Sequence, residues 1–160
     1  YAGLMITPDG PRVVEFNCRF GDPEAQVALP LLKSDLAGLC MAAARGRLDE
    51  FGPVELDTER AAACVVMASG GYPGPYQTGK PISGLESLAA LNDVVAFHAG
   101  TALRDETWMT DGGRVLGITA LADSIPAAIS RAYGGAVLVS FQGSYYRGDI
   151  GQHGALKPRQ

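Results

Sequence analysis

The sequence lacks any long hydrophobic run. None of its apolar stretches approaches the roughly 20 residues that a membrane-spanning helix needs, so we expect no membrane partner. Basic residues are also few and scattered: 13 Lys and Arg stand against 17 Asp and Glu, for a formal net charge of −4. Nucleic-acid-binding proteins concentrate basic residues on one face, so this composition argues against nucleic acid as a partner.

Cysteine is scarce as well. Cys18, Cys40 and Cys64 stand singly among apolar neighbours, and no C-x-x-C spacing occurs. Because that spacing is absent, the sequence does not fit the common zinc-binding and thioredoxin-type patterns. We expect all three thiols to pack in the core. An odd number of buried thiols is typical of a reducing compartment, so we expect a cytoplasmic location.

What is present indicates a globular chain, with 47% hydrophobic and 19% charged residues. Turn residues, helix caps and apolar periodicity divide it into segments. Predicted strands occupy residues 2–7, 12–19, 61–69, 94–98 and parts of 101–121. Predicted helices occupy residues 23–32, 35–47 and 85–91, and a longer one begins after Asp123-Ser124 with the apolar stripe Ile125, Ile129, Tyr133 and Val137. Residues 141–160 are predicted to form a polar, irregular tail.

The segment 46–60 is charged and rich in turn residues, and the pattern changes there from helical to β. We therefore predict two domains, residues 1–56 and 57–160. The expected fold class is α/β (α+β), with a β-hairpin and helices followed by a small, mostly-β domain that carries one long helix. The chain begins with the strand-like YAGLMI and no initiator Met, so we expect it to be a piece of a longer polypeptide.

The stretch VVEFNCRF, residues 13–20, alternates apolar and polar side chains. Successive side chains of a strand point to opposite faces, so one face is expected to be apolar and to lie in the core. Its members are Val14, Phe16, Cys18 and Phe20. The opposite face then carries a polar row of Glu15, Asn17 and Arg19.

This polar row has a possible chemistry. Glu15 and Asn17 offer a carboxylate and an amide carbonyl, the hard oxygen donors that Mg²⁺ prefers. Arg19 can stabilise an oxygen that gains charge during phosphoryl or acyl transfer. Gly21 permits a sharp turn into a helix whose free N–H groups favour an anion. A second interpretation stays open from the residues alone: an ordinary exposed strand face, with Asp22 only a helix cap.

The run YAGLMITPDGPRVVEFNCRFGDPEAQVALPLLKSDL resembles the end of the ATP-grasp domain of the phosphoribosylamine–glycine ligase family. The E-x-N-x-R spacing alone indicates only an ATP-grasp enzyme, whereas the continuation FGDPE is more specific to this family. The later segments SGGYPG, GKPISGLE, FHAGT, GGRVLGITALAD and YYRGDIG are similar to it in the same order. The resemblance therefore covers nearly the whole chain, and it implies that residues 1–56 are part of an ATP-grasp lobe.

The resemblance implies a defined reaction. The family joins glycine to 5-phosphoribosylamine in de novo purine synthesis, through glycyl phosphate, and cleaves ATP to ADP and phosphate. By resemblance, Glu15 and Asn17 hold Mg²⁺ or Mn²⁺, and Arg19 is the catalytic residue that binds and stabilises the acyl phosphate. Asp22 is a weaker candidate for a substrate contact, with helix capping as its alternative.

The sequence also departs from the family. The amino-terminal domain and most of the ATP-grasp module are missing, so we expect this 160-residue chain alone to be inactive. Gly148 and the ending Gln152-His153-Gly154 differ from the family pattern, which puts a substrate role of the tail in doubt. Two other functions stay open: a non-catalytic folded module that binds another chain, and part of a different ATP-grasp carboxylate–amine ligase.

Two further motifs are interpreted as structural. Residues 74–80 fit G-x-x-x-x-G-K, but Pro81 replaces the hydroxyl residue that a phosphate-binding P-loop needs. We interpret this segment as a turn-rich connector, and a position facing the substrate stays open for it. His98 ends an apolar strand and is expected to be a hydrogen-bonded structural histidine.

Overall fold

The computed structural model describes residues 1–152, so His153 and Gly154 of the variant ending lie outside the described residues. The first part contains strands β1 (Ala2–Thr7) and β2 (Gly10–Phe16), helix α1 (Ala25–Ala28), a 3-10 turn (Leu29–Leu31), α2 (Leu36–Ala44) and α3 (Leu48–Phe51). The second part contains β3 (Ala61–Ser69), α4 (Leu85–Ala89), β4 (Val94–His98), β5 (Thr101–Arg104), β6 (Thr107–Thr110), β7 (Arg114–Ala122), α5 (Ile125–Leu138) and β8 (Ser144–Tyr145). Within residues 1–152, no helix has the length and apolar character to cross a membrane.

An antiparallel hairpin of β1 and β2 opens the chain, as predicted. A bulge makes Val14 an extra residue of β2, because Gly3 pairs with Glu15 while Leu4 pairs with Val13. The second strand ends at Phe16, three residues earlier than expected. The prediction that one face of this strand lies in the core is wrong in this chain. Among the described residues nothing covers that face, and Phe16 is 76% exposed and Phe20 60% exposed.

The turn that follows the hairpin differs from the predicted helix start. Asp22 is not an N-cap, because α1 begins only at Ala25 and Glu24 precedes it without a side-chain cap. The predicted helix over 23–32 is divided into α1 and the 3-10 turn. Pro30 lacks an N–H and lies in the first turn of the second piece. By contrast, α2 begins as expected, with Asp35 accepting hydrogen bonds from two backbone N–H groups at 3.0 Å each.

A four-stranded antiparallel sheet in the order β4-β7-β3-β8 forms the second part. Its two central strands, β3 and β7, are mostly apolar and buried. The fully buried large side chains come chiefly from these strands and α4: Met67, Leu88, Leu116, Ile118, Val65 and Val115. The long helix α5 packs against β3 and β7. This confirms the predicted small, mostly-β domain with one long helix.

The face of α5 that meets the sheet is not the predicted one. The buried residues of α5 are small: Ala128, Ala132, Gly135 and Ala136. Ile125 and Val137 of the predicted stripe are 47% and 71% exposed. Small residues let the helix axis approach the sheet, and a Cβ at Gly135 would lie 2.9 Å from Val94 Cγ1. The large apolar side chains are displaced to the flanks of the helix because the contact is too close for them.

Two further expectations need correction. Cys64 is buried, but Cys18 and Cys40 are exposed, so only one of the three thiols packs in the core. The tail is less irregular than predicted, because β8 pairs with the end of β3. The hydroxyl of Tyr133 also donates to the Arg147 carbonyl at 2.6 Å and accepts from the Ile150 N–H at 3.0 Å. These bonds hold the chain after β8 against α5.

Charged groups join three elements near the start of β4. Asp93 precedes β4, and its carboxylate contacts Arg60 at 2.7 Å and Arg131 of α5 at 3.4 Å. The hydrogen bond from Arg60 lowers the pKa of Asp93, and the charges of both arginines act in the same direction. The ion pairs therefore connect the segment before β3 and the helix α5 through one carboxylate.

Leu116→Ala should lower the free energy of unfolding by about 2–5 kcal/mol, because it removes a fully buried side chain of the central strand. Phe16→Ala is the matched control at an exposed position and should change the free energy of unfolding by no more than about 0.5 kcal/mol. Urea unfolding followed by far-UV circular dichroism measures both. If Phe16→Ala lowered the free energy of unfolding as much as Leu116→Ala, the hairpin would be covered in solution.

The stability difference between the natural chain and Asp93→Asn should depend on pH. The folded pKa of Asp93 lies below its ordinary value of 3.8, so the ionised carboxylate stabilises the folded state. This contribution should be fully present when the pH is above the ordinary pKa, and it should be lost as the pH falls through the lower pKa of the folded state. Thermal midpoints of both proteins between about pH 2 and pH 7 test it. A difference that stays constant down to the lowest pH would contradict it.

Candidate functional site

The two candidate metal ligands lie at the end of the hairpin. Glu15 is the penultimate residue of β2, and Asn17 directly follows that strand. The backbone pairing continues to Asn17, whose N–H donates to the Tyr1 carbonyl at 2.9 Å and whose carbonyl accepts from the Tyr1 amino group at 2.6 Å. Because the extended pairing reaches Asn17, strand alternation places both side chains on one face.

Glu15 already has a hydrogen-bonding partner. The Tyr1 hydroxyl donates to Glu15 Oε1 at 2.5 Å, and this bond raises the pKa of Tyr1. The carboxylate is exposed, and its other oxygen and the Asn17 carboxamide are hard donors. The donor set therefore fits a divalent cation such as Mg²⁺ or Mn²⁺ that takes its remaining ligands from elsewhere.

Arg19 is not part of the strand that was predicted to carry the polar row. It lies in a bend beyond the strand, and its Nη1 donates to the carbonyl of the next residue, Phe20, at 2.9 Å. Strand alternation ends at Asn17, so Arg19 is not required to point the same way as Glu15. Its guanidinium is exposed at the edge of the turn that leads to Gly21.

Close packing at Gly21 shapes the turn. This glycine is buried, and a Cβ on it would lie 2.8 Å from Tyr1 Cε1. Its carbonyl accepts from the N–H of Ala25, the first residue of α1. A side chain at Gly21 would separate Tyr1 from the turn, so glycine is needed here for close approach.

Asp22 forms a contact that the sequence did not reveal. Its carboxylate accepts from Arg114 Nη2 at 2.9 Å, and its backbone carbonyl accepts from Arg114 Nη1 at 3.1 Å. Gln26 Nε2 also donates to the carboxylate at 3.0 Å. Arg114 is the first residue of β7, so this ion pair joins the turn after the hairpin to the second part of the chain. The two residues are 92 positions apart, and no local pattern marks them as partners.

A cavity of about 470 Å³ lies beside this ion pair. Its wall is partly apolar, with Pro23, Cys64 and Tyr72, and two guanidinium groups border it, those of Arg114 and Arg147. Burial raises the pKa of the Cys64 thiol, so this cysteine is a neutral packing residue. The cavity offers room for a small organic molecule next to Pro23, in the turn that follows Asp22.

A second cavity, of about 480 Å³, is formed by the loop that the sequence analysis interpreted as a connector. Tyr76, Gln77, Lys80 and Gln142 border it. No helix begins at Lys80, since the next one, α4, starts at Leu85. The segment is therefore not a phosphate-binding P-loop, in agreement with the interpretation from sequence.

His98 is the last residue of β4. Its Nδ1 is 2.9 Å from Thr101 Oγ1, and its ring lies 4.1 Å from that of Trp108. Burial lowers its pKa, which keeps the imidazole neutral at physiological pH. These contacts agree with the structural role that the sequence analysis assigned to it.

Comparison with known families matches both parts of the chain. Residues 62–153 match the phosphoribosylglycinamide synthetase C domain, and residues 1–25 match the ATP-grasp (A) domain of the same enzyme. The chain belongs to the phosphoribosylglycinamide synthetase family. Residues 26–61 lie between the two matches, and the predicted domain boundary at 56/57 within this interval stays a prediction.

Relatives in this family support the assignment. The chain is 50% identical over 157 residues to a phosphoribosylamine–glycine ligase of Synechocystis, covering 98% of this chain and 37% of that protein. It is 51% identical over 151 residues to a trifunctional purine biosynthetic protein of Gallus gallus, covering 94% of this chain and 15% of that protein. A crystal structure of the Thermotoga maritima phosphoribosylamine–glycine ligase superposes with a TM-score of 0.76 at 34% identity, over 93% of this chain and 36% of that one. The chain thus spans about a third of the length of the single-function relatives in this family.

Proposed function

We propose that this chain supplies the carboxyl-terminal part of an ATP-dependent ligase that joins glycine to 5-phosphoribosylamine in de novo purine biosynthesis. The observation that carries the proposal is the match of both family domains in one chain, with E-x-N-x-R inside the ATP-grasp part. The names of relatives at about 50% identity support the same reaction. The remainder of the enzyme, with most of the ATP site, is supplied by an amino-terminal part of the same polypeptide.

The proposed reaction has two steps. The carboxylate of glycine attacks the terminal phosphorus of ATP, which gives glycyl phosphate and ADP. The amine of 5-phosphoribosylamine then attacks the glycyl carbonyl carbon, phosphate leaves with the electron pair of the broken C–O bond, and the amine loses a proton. Glu15 and Asn17 hold Mg²⁺ or Mn²⁺ in this proposal, and the ion supplies charge neutralisation at the phosphates.

Arg19 and Asp22 have separate roles in the proposal. Arg19 binds the oxygens of the acyl phosphate, where negative charge grows during phosphoryl transfer. Its exposure at the edge of the turn supports this role, since the guanidinium donates to a neighbouring carbonyl and remains accessible to solvent. Asp22 contacts the substrate with the part of its carboxylate that Arg114 and Gln26 leave accessible; its side chain is 45% exposed.

The hairpin favours the enzyme over a free-standing binding module. Both of its strands expose large apolar side chains, including Ile6 at 76% and Val14 at 67%. A contiguous apolar surface of this kind is typical of a segment that another part of a protein covers. In the proposal the remainder of the ATP-grasp domain covers it. The exposed free thiols of Cys18 and Cys40 support a reducing, cytoplasmic location.

The reaction is tested with a chimera in which this chain replaces the corresponding segment of the Synechocystis ligase. The chimera should form ADP in a manner that depends on both glycine and 5-phosphoribosylamine, whereas the 160-residue chain alone should form none. Glu15→Ala in the chimera should lower kcat/KM by about 100-fold or more, because a metal ligand is lost. Glu59→Ala, at another exposed glutamate, is the control and should leave turnover unchanged. A chimera that folds without activity, or that is unaffected by Glu15→Ala at limiting Mg²⁺, would contradict the proposal.

Arg19→Lys in the same chimera should lower kcat more than it weakens ATP binding. Lysine keeps the charge but loses the planar fork that contacts two oxygens, and this interaction is needed when charge develops. Steady-state kinetics with varied ATP separate the two effects. A rise in KM for ATP with kcat preserved would show that Arg19 only binds the nucleotide.

A further inference from the structure

Arg114 binds both the side chain and the main chain of one residue. Its two terminal nitrogens lie 2.9 Å from Asp22 Oδ2 and 3.1 Å from the Asp22 carbonyl oxygen. A planar guanidinium that makes both contacts fixes the position of Asp22 and also the orientation of its peptide group. A single charge contact at the carboxylate would leave that peptide free to rotate.

We propose that Arg114 is a positioning residue for the site, which holds the segment 17–22 at a fixed place beside the start of β7 in the second domain. The inference rests on the proposed function, because the segment matters for catalysis only if Asn17 and Arg19 serve the ligase reaction. Arg114 acts through Asp22 and touches no reacting atom. Its role is to set where the turn stands relative to the cavity beside β3 and β7.

The segment is held at both ends, and between them Gly21 packs against the ring of Tyr1. At its start, Asn17 pairs with the backbone of Tyr1. At its end, Asp22 is bound by Arg114. The Arg19 guanidinium donates to the neighbouring Phe20 carbonyl, which moves with the segment itself. Gln26 also binds Asp22 and lies close to the sheet, since a Cβ at Gly117 of β7 would be 3.8 Å from its Cγ, but its bond to Asp22 is a single uncharged contact to the carboxylate.

Arg114 is anchored well enough to act as a fixed point. Its carbonyl accepts from the Gly100 N–H at 2.8 Å, and its backbone pairs with Ala68 of β3. The preceding Gly113 is buried under the ring of Tyr72, where a Cβ would overlap the ring. The backbone from which the guanidinium projects is therefore part of the packed sheet.

The ion pair is half exposed, at 40% for Arg114 and 45% for Asp22. Pairs in such positions contribute little to global stability. A role in positioning therefore predicts a local effect on the segment 17–22, with little change in the thermal midpoint. This separates positioning from a general structural role.

Limited trypsin digestion of the 160-residue chain tests the local effect, because Arg19 lies inside the segment. Arg114→Gln should raise the rate of cleavage after Arg19 by about tenfold, since the segment opens more often. Cleavage after Arg45 and Arg47, which lie outside the segment, is the internal reference and should not change. Arg104→Gln, which removes a guanidinium from a surface pair with Asp111, is the control variant and should not change cleavage after Arg19.

Two outcomes of this digestion would overturn the inference. One is cleavage after Arg19 at its natural rate in Arg114→Gln. The other is a rise of that rate together with cleavage after Arg45 and Arg47, which would indicate global loosening. Asp22→Ala combined with Arg114→Gln should raise the cleavage rate by less than the two single effects multiplied together, because both changes break the shared contact between the Arg114 guanidinium and the Asp22 carboxylate. If the effects of the two changes on the rate of cleavage after Arg19 simply combined in full, the two residues would act separately.

Kinetics of the Synechocystis chimera provide the second arm. Arg114→Gln should lower kcat about tenfold with the KM for ATP changed by no more than about twofold, and Arg114→Lys should restore part of the loss. An active chimera whose kcat is unaffected by Arg114→Gln would overturn the inference and leave the proposed function intact. A chimera without activity would instead overturn the proposed function, and the digestion would still decide whether Arg114 holds the segment.

Discussion

The pairing of β3 with β7 is the interaction on which the rest of the second domain depends. Both strands are nine residues long and mostly apolar, and they are covered by α5 on one side and approached by α1 on the other. Every other strand of the sheet attaches to this pair, β4 along β7 and β8 along β3. Because an apolar strand buried on two faces tolerates few alternative registers, the pair also fixes the start of β7. Arg114 stands at that start, so the packing of the core decides where the contact to Asp22 is made.

The candidate site is thus assembled from two levels of structure. Local backbone pairing brings Glu15 and Asn17 to one face beside Tyr1, and it requires only residues 1–17. The orientation of the following turn requires the sheet that begins 40 residues later along the chain, through an ion pair of low intrinsic strength. The first level explains why a short sequence motif is recognisable. The second explains why the motif cannot describe the complete site.

Sequence reasoning succeeded where the signal was local. The hairpin, helix α2, the apolar strand β3 and the start of α5 at Ser124 each depend on a few neighbouring residues. It failed where partners decide the outcome. Phe16 alternates correctly for a core face, but alternation does not show whether anything covers that face. The buried face of α5 was missed because a close helix–sheet contact selects alanine and glycine, and the large apolar residues that dominate a periodicity pattern lie on its flanks. Asp22 was assigned to a cap from its neighbours, whereas its partner is 92 residues away.

The separation of β3 and β7 along the chain has a consequence for biosynthesis. Residues 70–113 lie between the two strands, so β3 leaves the ribosome well before its main partner. At ~5–20 residues per second this interval lasts roughly 2 to 9 seconds. During it the stretch AAACVVMAS is an unpaired apolar segment of the kind that associates with other nascent chains. Glu59 and Arg60 directly precede it, and charged residues in that position discourage such association. The strand that stabilises the folded domain is therefore prone to association while the chain is being synthesised. The charged residues before it reduce that association until β7 has been synthesised and can pair with it.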